Sequence, residues 1–231
     1  MNAERQFSFD FDHRPALARD DFLVAPNNAD AVAWLDRHPH WPAPALVVHG
    51  PAACGKTHLA QVFKAATGAR TVTPEGLADT PPQVLLGTTP ACVVEDVEDV
   101  IAEGLEEALL HLYNVVAETG RHLLLTARSP ASRWPMTLPD LASRLKAAGS
   151  VAIGPPDDSL IVAVMVKLFA DRQLRVDDDV VAFILPRLER TFAAVNRFVA
   201  DLDRAAMAQR RKITIPLARQ VLARLDPPAD A

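Results

Sequence analysis

The 231-residue chain has little of what would tie it to a membrane, an oxidised compartment or bare nucleic acid. It has two cysteines, Cys54 and Cys92, in no CxxC or Cys/His spacing. That argues against a disulfide scaffold and a structural zinc site and fits a reducing cytoplasm. Positive charge is in deficit, with 24 Lys and Arg against 29 Asp and Glu for a net charge of −5. A broad autonomous DNA-binding surface needs clustered cations, so that class is set aside, while a local basic patch stays open. Long apolar runs are missing too. The longest segment without a charged side chain, residues 38–55, holds four prolines and three histidines and does not span a bilayer. The first dozen residues carry Glu4, Arg5, Asp10 and Asp12, so no apolar signal core opens the chain. What is present is a globular composition, 49% hydrophobic and 23% charged, enough for one large domain or two small ones.

Three zones follow from the pattern. Residues 1–12 read as an exposed arm in which Phe7, Phe9 and Phe11 alternate with Ser8, Asp10 and Asp12. Residues 13–154 read as α/β. A helix in the second half of 19–37, with Asn27 or Asn28 as its N-cap, precedes an apolar strand at 45–49 and a helix over 56–66. A weak strand at 69–72 and a loop marked by Pro74, Pro81 and Pro82 lead to an apolar run at 91–94. A helix over 103–118, stopped by Gly120, and a third run at 123–126 complete the series. Apolar strands alternating with helices predict a parallel sheet covered on both faces. After Pro155 and Pro156 no strand is expected. Residues 155–231 read as a small all-helical domain, with helices over 157–172, 177–188, 191–210 and 215–225. Their N-cap candidates are Asp157 or Asp158, Asp177, Glu189 and Thr214.

Gly50, Pro51, Ala52, Ala53, Cys54, Gly55, Lys56 and Thr57 match G-x-x-x-x-G-K-[ST] at every fixed position, after a strand and opening a helix. The glycines let backbone N–H groups turn toward phosphate oxygens, and the helix N-terminus adds partial positive charge. Lys56 reaches the β- and γ-phosphates in such loops, and the Thr57 hydroxyl ligates Mg²⁺. A bound nucleoside phosphate, ADP or ATP, is the expected ligand. Glu95 and Asp96, at the carboxyl end of the second apolar run, are placed to hold Mg²⁺ and orient water; a helix N-cap pair is the other reading. Thr126, ending the next strand, either bonds to the γ-phosphate and its water or is a plain strand end. Arg144 and Arg190 are candidates for a cation at the γ-phosphate, against the ordinary alternative of surface ion pairs.

These residues together resemble the AAA+ family and, within it, the DnaA-related replication proteins of the DnaA and Hda type, over residues 6–225. The resemblance lies in Gly55-Lys56-Thr57-His58-Leu59, in Leu110-His111-Leu112-Tyr113-Asn114, and in LPDLASRL at 138–145. It continues in Leu202-Asp203-Arg204-Ala205 and Ile213-Thr214-Ile215-Pro216. It implies a P-loop module with a five-stranded parallel sheet and a helical lid. By the same resemblance, Arg144 is an arginine finger acting in trans, Arg190 the second sensor and Thr126 the first. His58 joins the nucleotide-binding loop, and Phe22, Leu23, Val24, Asn27 and Asn28 approach the adenine. Glu95 stands where an aspartate is usual. Gln6-Phe7-Ser8-Phe9-Asp10-Phe11 looks like a sliding-clamp-binding peptide, the other reading being an arm packed on its own domain. The chain leaves no room after Arg190 for a DnaA-type helix-turn-helix domain, so duplex DNA binding of its own is not expected. The implied function is negative regulation of replication initiation. An ADP-bound adaptor, tethered to the DNA polymerase III β clamp, would stimulate hydrolysis of the ATP held by DnaA. Intrinsic ATPase would be weak, association head to tail or as a homodimer, and the location cytoplasmic, at the nucleoid and replisome. The alternative is an autonomous ATPase such as a helicase-loader-like motor.

Overall fold

Five short strands, β1 (Ala45–His49), β2 (Arg70–Thr71), β3 (Ala91–Val94), β4 (His122–Ala127) and β5 (Gly149–Ala152), form one sheet in the computed structural model. The structure describes residues 23–209 and 212–225, so the arm with Gln6, Phe7, Phe9 and Phe11, and Phe22 after it, lie outside the described residues. The strand order is β2-β3-β4-β1-β5 and every neighbouring pair is parallel. Every residue of β3 is buried, as are the first four of β1 and the last five of β4, which is what a parallel sheet between two helical layers demands. Side chains alternate between faces: Ala45, Val47, Cys92, Val94, Leu123 and Leu125 join one core. That core is closed by α3 (Pro74–Asp79), α4 (Pro82–Leu86), α5 (Val97–Ala102), α6 (Glu106–Glu118) and α7 (Pro139–Ala147), through residues such as Leu77, Leu86, Val100, Leu112 and Leu141. Elsewhere α1 (Ala29–Asp36) packs on β5, and α2 (Lys56–Thr67) packs on β3 and β4.

Several expected boundaries move, each for a local reason. The helix expected over 103–118 is α6 and begins only at Glu106, because Gly104 turns the chain at φ +76° between it and a further helix, α5, that was not expected. The proline-marked loop after β2 holds α3 and α4, each starting on a proline at N1, where a missing N–H costs nothing. Thr73 caps α3, its hydroxyl oxygen accepting from Gly76 N at 3.2 Å. The strand β5 and the helix α7 were not among the expected elements. β5 has four residues, too few for a period to show, and α7 has only Leu141 and Leu145 fully buried.

Past residue 154 the chain is helical: α8 (Asp158–Asp171), α9 (Asp178–Ile184), α10 (Phe192–Gln209) and α11 (Ile215–Leu225). Asp157 caps α8 by accepting from Leu160 N at 2.8 Å. The third helix is capped by Thr191 rather than Glu189, the Thr191 hydroxyl accepting from Ala194 N at 3.1 Å. The α9 segment stops at Ile184 and closes in a 3₁₀ turn, Leu185–Arg187, because Pro186 has no N–H with which to continue it. Ile161, Met165, Ile184, Phe198, Leu202 and Val221 form a core of their own. The chain accordingly divides into two compact units. One comprises Lys56–Ile153 and the residues up to His49; the other comprises Gly50–Gly55 and the residues from Gly154 on.

At the amino ends of the strands His38, Trp41, Phe63 and His122 pack ring on ring, with His38 and His122 centroids 4.8 Å apart. Nε2 of His38 is buried without a hydrogen bond. Burial, then repulsion from His122 and His40, holds His38 below its ordinary 6.5, and burial and His40 do the same to His122. The unfolded chain therefore takes up protons first as pH falls, so this contribution to stability is complete above about pH 6.5 and is lost below it. The melting temperature is expected to fall between about pH 7.5 and pH 5.5, and His122→Gln to flatten that slope. A parallel slope in both proteins, read by thermal melts across the window, would remove His122 from the account.

Candidate nucleotide site

The site starts where β1 runs out. Its last residue, His49, accepts from Ile153 N at 2.7 Å, which fixes the strand end beside the continuation of β5. Gly50 is buried, Pro51, Ala52 and Ala53 are exposed, Cys54 is buried and in no disulfide, and α2 begins at Lys56. Two residues of this loop are left-handed, Ala53 at φ 57° and Gly55 at φ 104°. For Ala53 that conformation costs about 1–2 kcal/mol, strain of the kind that persists where a loop must wrap a ligand. Gly55 suits its left-handed φ, which strains any other residue, and a Cβ there would also crowd Cε2 of Phe192 at 3.2 Å. Lys56 is 7% exposed, whereas Thr57 and His58 face solvent from the first turn of α2.

The acidic strand end is less simple than a capping pair. Asp96 occupies the N-cap of α5 in a left-handed conformation, φ 49° and ψ 56°, yet its carboxylate makes no capping bond. Glu95 is half-buried and Asp96 exposed. Thr126, 2% exposed, accepts from Asp96 N at 3.2 Å, so the hydroxyl ties β4 to the acidic turn rather than merely ending a strand. His49 is held below its ordinary value by burial; Glu98 opposes this, and Arg133 and Lys56 reinforce it. The oxygens offered by Thr57, Glu95 and Asp96 suit Mg²⁺, which takes one or two carboxylates and completes its shell with phosphate and water. Among the described residues no group of three or more His, Cys, Asp or Glu is arranged to hold a metal ion, and no helix is long and apolar enough to cross a membrane.

The two arginines lie in different units, and each has a carboxylate partner in its own. On α7, Arg144 Nε donates to Asp140 Oδ1 at 2.9 Å, and the guanidinium lies over the Tyr113 ring at 5.7 Å. In the helical unit Arg190 forms a two-pronged pair with Asp158 at the start of α8, Nε to Oδ1 at 2.5 Å and Nη2 to Oδ2 at 3.1 Å. Asn28 stands at the N-cap of α1 without capping it; its side chain instead closes the preceding turn. Oδ1 accepts from Ala25 N at 2.8 Å and Nδ2 donates to Leu23 O at 3.0 Å, which orders the segment containing Leu23 and Val24.

Two carboxylates that sequence reasoning did not single out organise the neighbourhood. Glu98 accepts from Arg128 N, Ser129 N and Ser129 Oγ at 2.8–3.0 Å, anchoring the chain as it leaves β4. Glu106 does the same for Thr137 and Leu138. In sequence they are two first-turn acids among several. Nothing local marks them, because their partners lie about thirty residues away.

Comparison with known proteins agrees with this architecture. Residues 158–222 match the family model "Hda, lid domain". The chain is similar to domain III of the Thermotoga maritima replication initiation protein DnaA, with TM-score 0.77, 18% identity, and 93% of this chain and 99% of that one covered. It is also similar to AMPPCP-bound DnaA from Aquifex aeolicus, at TM-score 0.63 and 15% identity, over 81% of this chain and 65% of that one. The FIGL-1 AAA domain in complex with ADP matches at TM-score 0.65 and 12% identity, over 96% and 88%. The fold is therefore AAA+, of the type seen in DnaA domain III, and it carries a Hda-like lid.

Lys56→Ala is expected to lower ADP affinity by about a hundredfold or more, since a buried charge-assisted contact is lost at a site built around anions. Titration calorimetry reads this directly. Unaltered affinity would take the phosphate loop out of the site. Thr126→Val should cost about 1–3 kcal/mol in urea unfolding by leaving Asp96 N–H unpaired; an unchanged midpoint would mean that the bond is not needed.

Proposed function

We propose that this chain is a regulatory adaptor of replication initiation, which holds ADP in its own site and accelerates hydrolysis of the ATP bound to DnaA. The observation that carries the reading is the pairing of a Hda-like lid with a DnaA-type AAA+ fold in one chain. Structures similar to it were solved with AMPPCP and with ADP, in keeping with a nucleotide here. Gly50 to Gly55 and Lys56 would take its phosphates, Thr57 and Glu95 its Mg²⁺, Arg190 its outer phosphate, and the 23–28 segment its base. Bound there, the nucleotide supplies charge and shape that favour one conformation of the protein over another.

Arg144 is the group that acts outward. A guanidinium brought to the γ-phosphate of a neighbouring molecule's ATP stabilises transition-state charge, worth about 10³–10⁵ in rate. Acting in trans, it drives hydrolysis without turnover at its own site. The arm supplies location. Gln6, with Phe7, Phe9 and Phe11, would dock in the sliding clamp, the glutamine amide fixing one end and the rings filling apolar pockets. Tethering raises the local concentration at newly replicated DNA, so a weak direct affinity for DnaA suffices.

The test is hydrolysis of labelled ATP preloaded on DnaA, with clamp-loaded DNA and this protein in its ADP form. Stimulation is expected to need both the clamp and Arg144, and Arg144→Ala to lose it. Turnover of free ATP by this protein with no effect on DnaA would instead favour the autonomous motor. Gln6→Ala is expected to weaken clamp binding at unchanged ADP affinity. Equal clamp affinity in surface plasmon resonance would sink the assignment of the arm.

A further inference from the structure

Among the described residues four polar or charged side chains are buried: Asn28, Lys56, Glu106 and Thr126. Three already belong to the site. Glu106 does not. It sits in the first turn of α6, 7% exposed, and its carboxylate turns to the backbone of a segment about thirty residues further on. Both oxygens accept from Thr137 N at 2.9 Å, Oε1 accepts from Thr137 Oγ1 at 3.0 Å, and Oε2 accepts from Leu138 N at 2.8 Å.

Those amides stand immediately before α7, the helix of Arg144. Its own cap is empty: Leu138 at the N-cap has no side chain that accepts, and Pro139 follows at N1. Helix N-termini present unpaired N–H groups and partial positive charge, and an anion relieves both. Glu106 meets that need from another helix. Two turns along α6, at i+7 and so on the same face, Tyr113 lies under the Arg144 guanidinium. Helix α6 therefore holds α7 at two points, its N-terminus and the arginine itself. Burial pushes the Glu106 carboxyl up, but the Thr137 and Leu138 amides and the Thr137 hydroxyl outweigh it and leave the acid below its ordinary value. The group is a carboxylate at neutral pH.

We propose that Glu106 is the positioning residue of Arg144, anchoring α7 so that the guanidinium is delivered to the partner's nucleotide in one orientation. This rests on the reading of Arg144 as a trans-acting finger. Glu106→Gln keeps the volume but leaves one acceptor oxygen against two amides and a hydroxyl, and sets an NH₂ group against a donor. A displacement of about 1 Å at a reacting centre costs about a hundredfold, so a ten- to hundredfold fall is expected.

The experiment compares wild type, Glu106→Gln, Arg144→Ala and the double variant in DnaA-dependent ATP hydrolysis on clamp-loaded DNA. Maximal rate and half-saturating adaptor concentration are read separately, with amide hydrogen exchange over 137–145 alongside. The expected result is a lower maximal rate for Glu106→Gln, half-saturation and ADP affinity within twofold, faster exchange at Thr137 and Leu138, and a double variant no slower than Arg144→Ala. Wild-type stimulation by Glu106→Gln while Arg144→Ala is inactive would overturn the proposal. So would a double variant slower than Arg144→Ala by the full Glu106→Gln factor, because the two residues would then act independently. If Arg144→Ala is itself fully active the finger reading fails, and exchange over 137–145 then decides whether Glu106 holds α7. Should Glu106→Gln fail to fold, Thr137→Val removes one donor from the same carboxylate and is expected to give a smaller fall of the same kind; no fall would overturn the proposal.

Discussion

Parallel strands require crossovers, so every strand of this sheet ends at the same edge and every chain exit falls there. That constraint places the exits of β1, β3 and β4 side by side, since β4 lies between the other two. The phosphate loop leaves β1, the acidic turn leaves β3, and Thr126 comes near the end of β4. The hydrogen bond from Asp96 N to Thr126 is a direct consequence of the register that sets Val94 against Leu125. No special arrangement is needed to gather these groups; the topology does it. The cost is that both faces of the sheet must be covered, which explains why β1, β3 and β4 read as unbroken apolar runs.

Where the strand ends hand over to loops, the unit adds carboxylates to the apolar packing of residues such as Ala131 and Trp134. Glu98 holds the exit of β4 and Glu106 holds the entry to α7, each taking up backbone N–H groups that no secondary structure pairs. Charge-assisted bonds of this kind are directional, whereas buried leucines are not. A core of Leu109, Leu112, Leu141 and Leu145 brings α6 and α7 together. The carboxylate decides where along that contact α7 begins. The same logic runs through the 23–28 turn, ordered by the Asn28 amide.

The arginines illustrate how a group is kept ready. Arg144 and Arg190 are each held by a carboxylate of their own unit, and neither pair is buried. Exposed pairs of this kind contribute little to stability. In the proposed function their use would lie in restricting a long side chain to few rotamers while leaving it able to exchange one anion for another. A phosphate presented to either guanidinium competes with an aspartate, not with a buried and irreplaceable partner.

Much of this was legible in the chain. The phosphate loop, the apolar strands, the alternation with helices and the helical character after Pro155 are all local signals, carried by residues within a few positions of each other. The resemblance to AAA+ replication proteins was legible too, from short motifs. What sequence left open was decided by distance. β5 and α7 are short and weakly patterned, and they exist because neighbouring strands and α6 complete them. Neither reading of Thr126 included the bond from Asp96 N that the register of β3 and β4 provides. Arg144 gave no sign of the Tyr113 ring or of the Glu106 anchor. Local interactions repeat with a period and so can be read along the chain. Bonds between Glu106 and Leu138 or between Asp96 and Thr126 span about thirty residues, and only the folded backbone brings such partners within 3.2 Å.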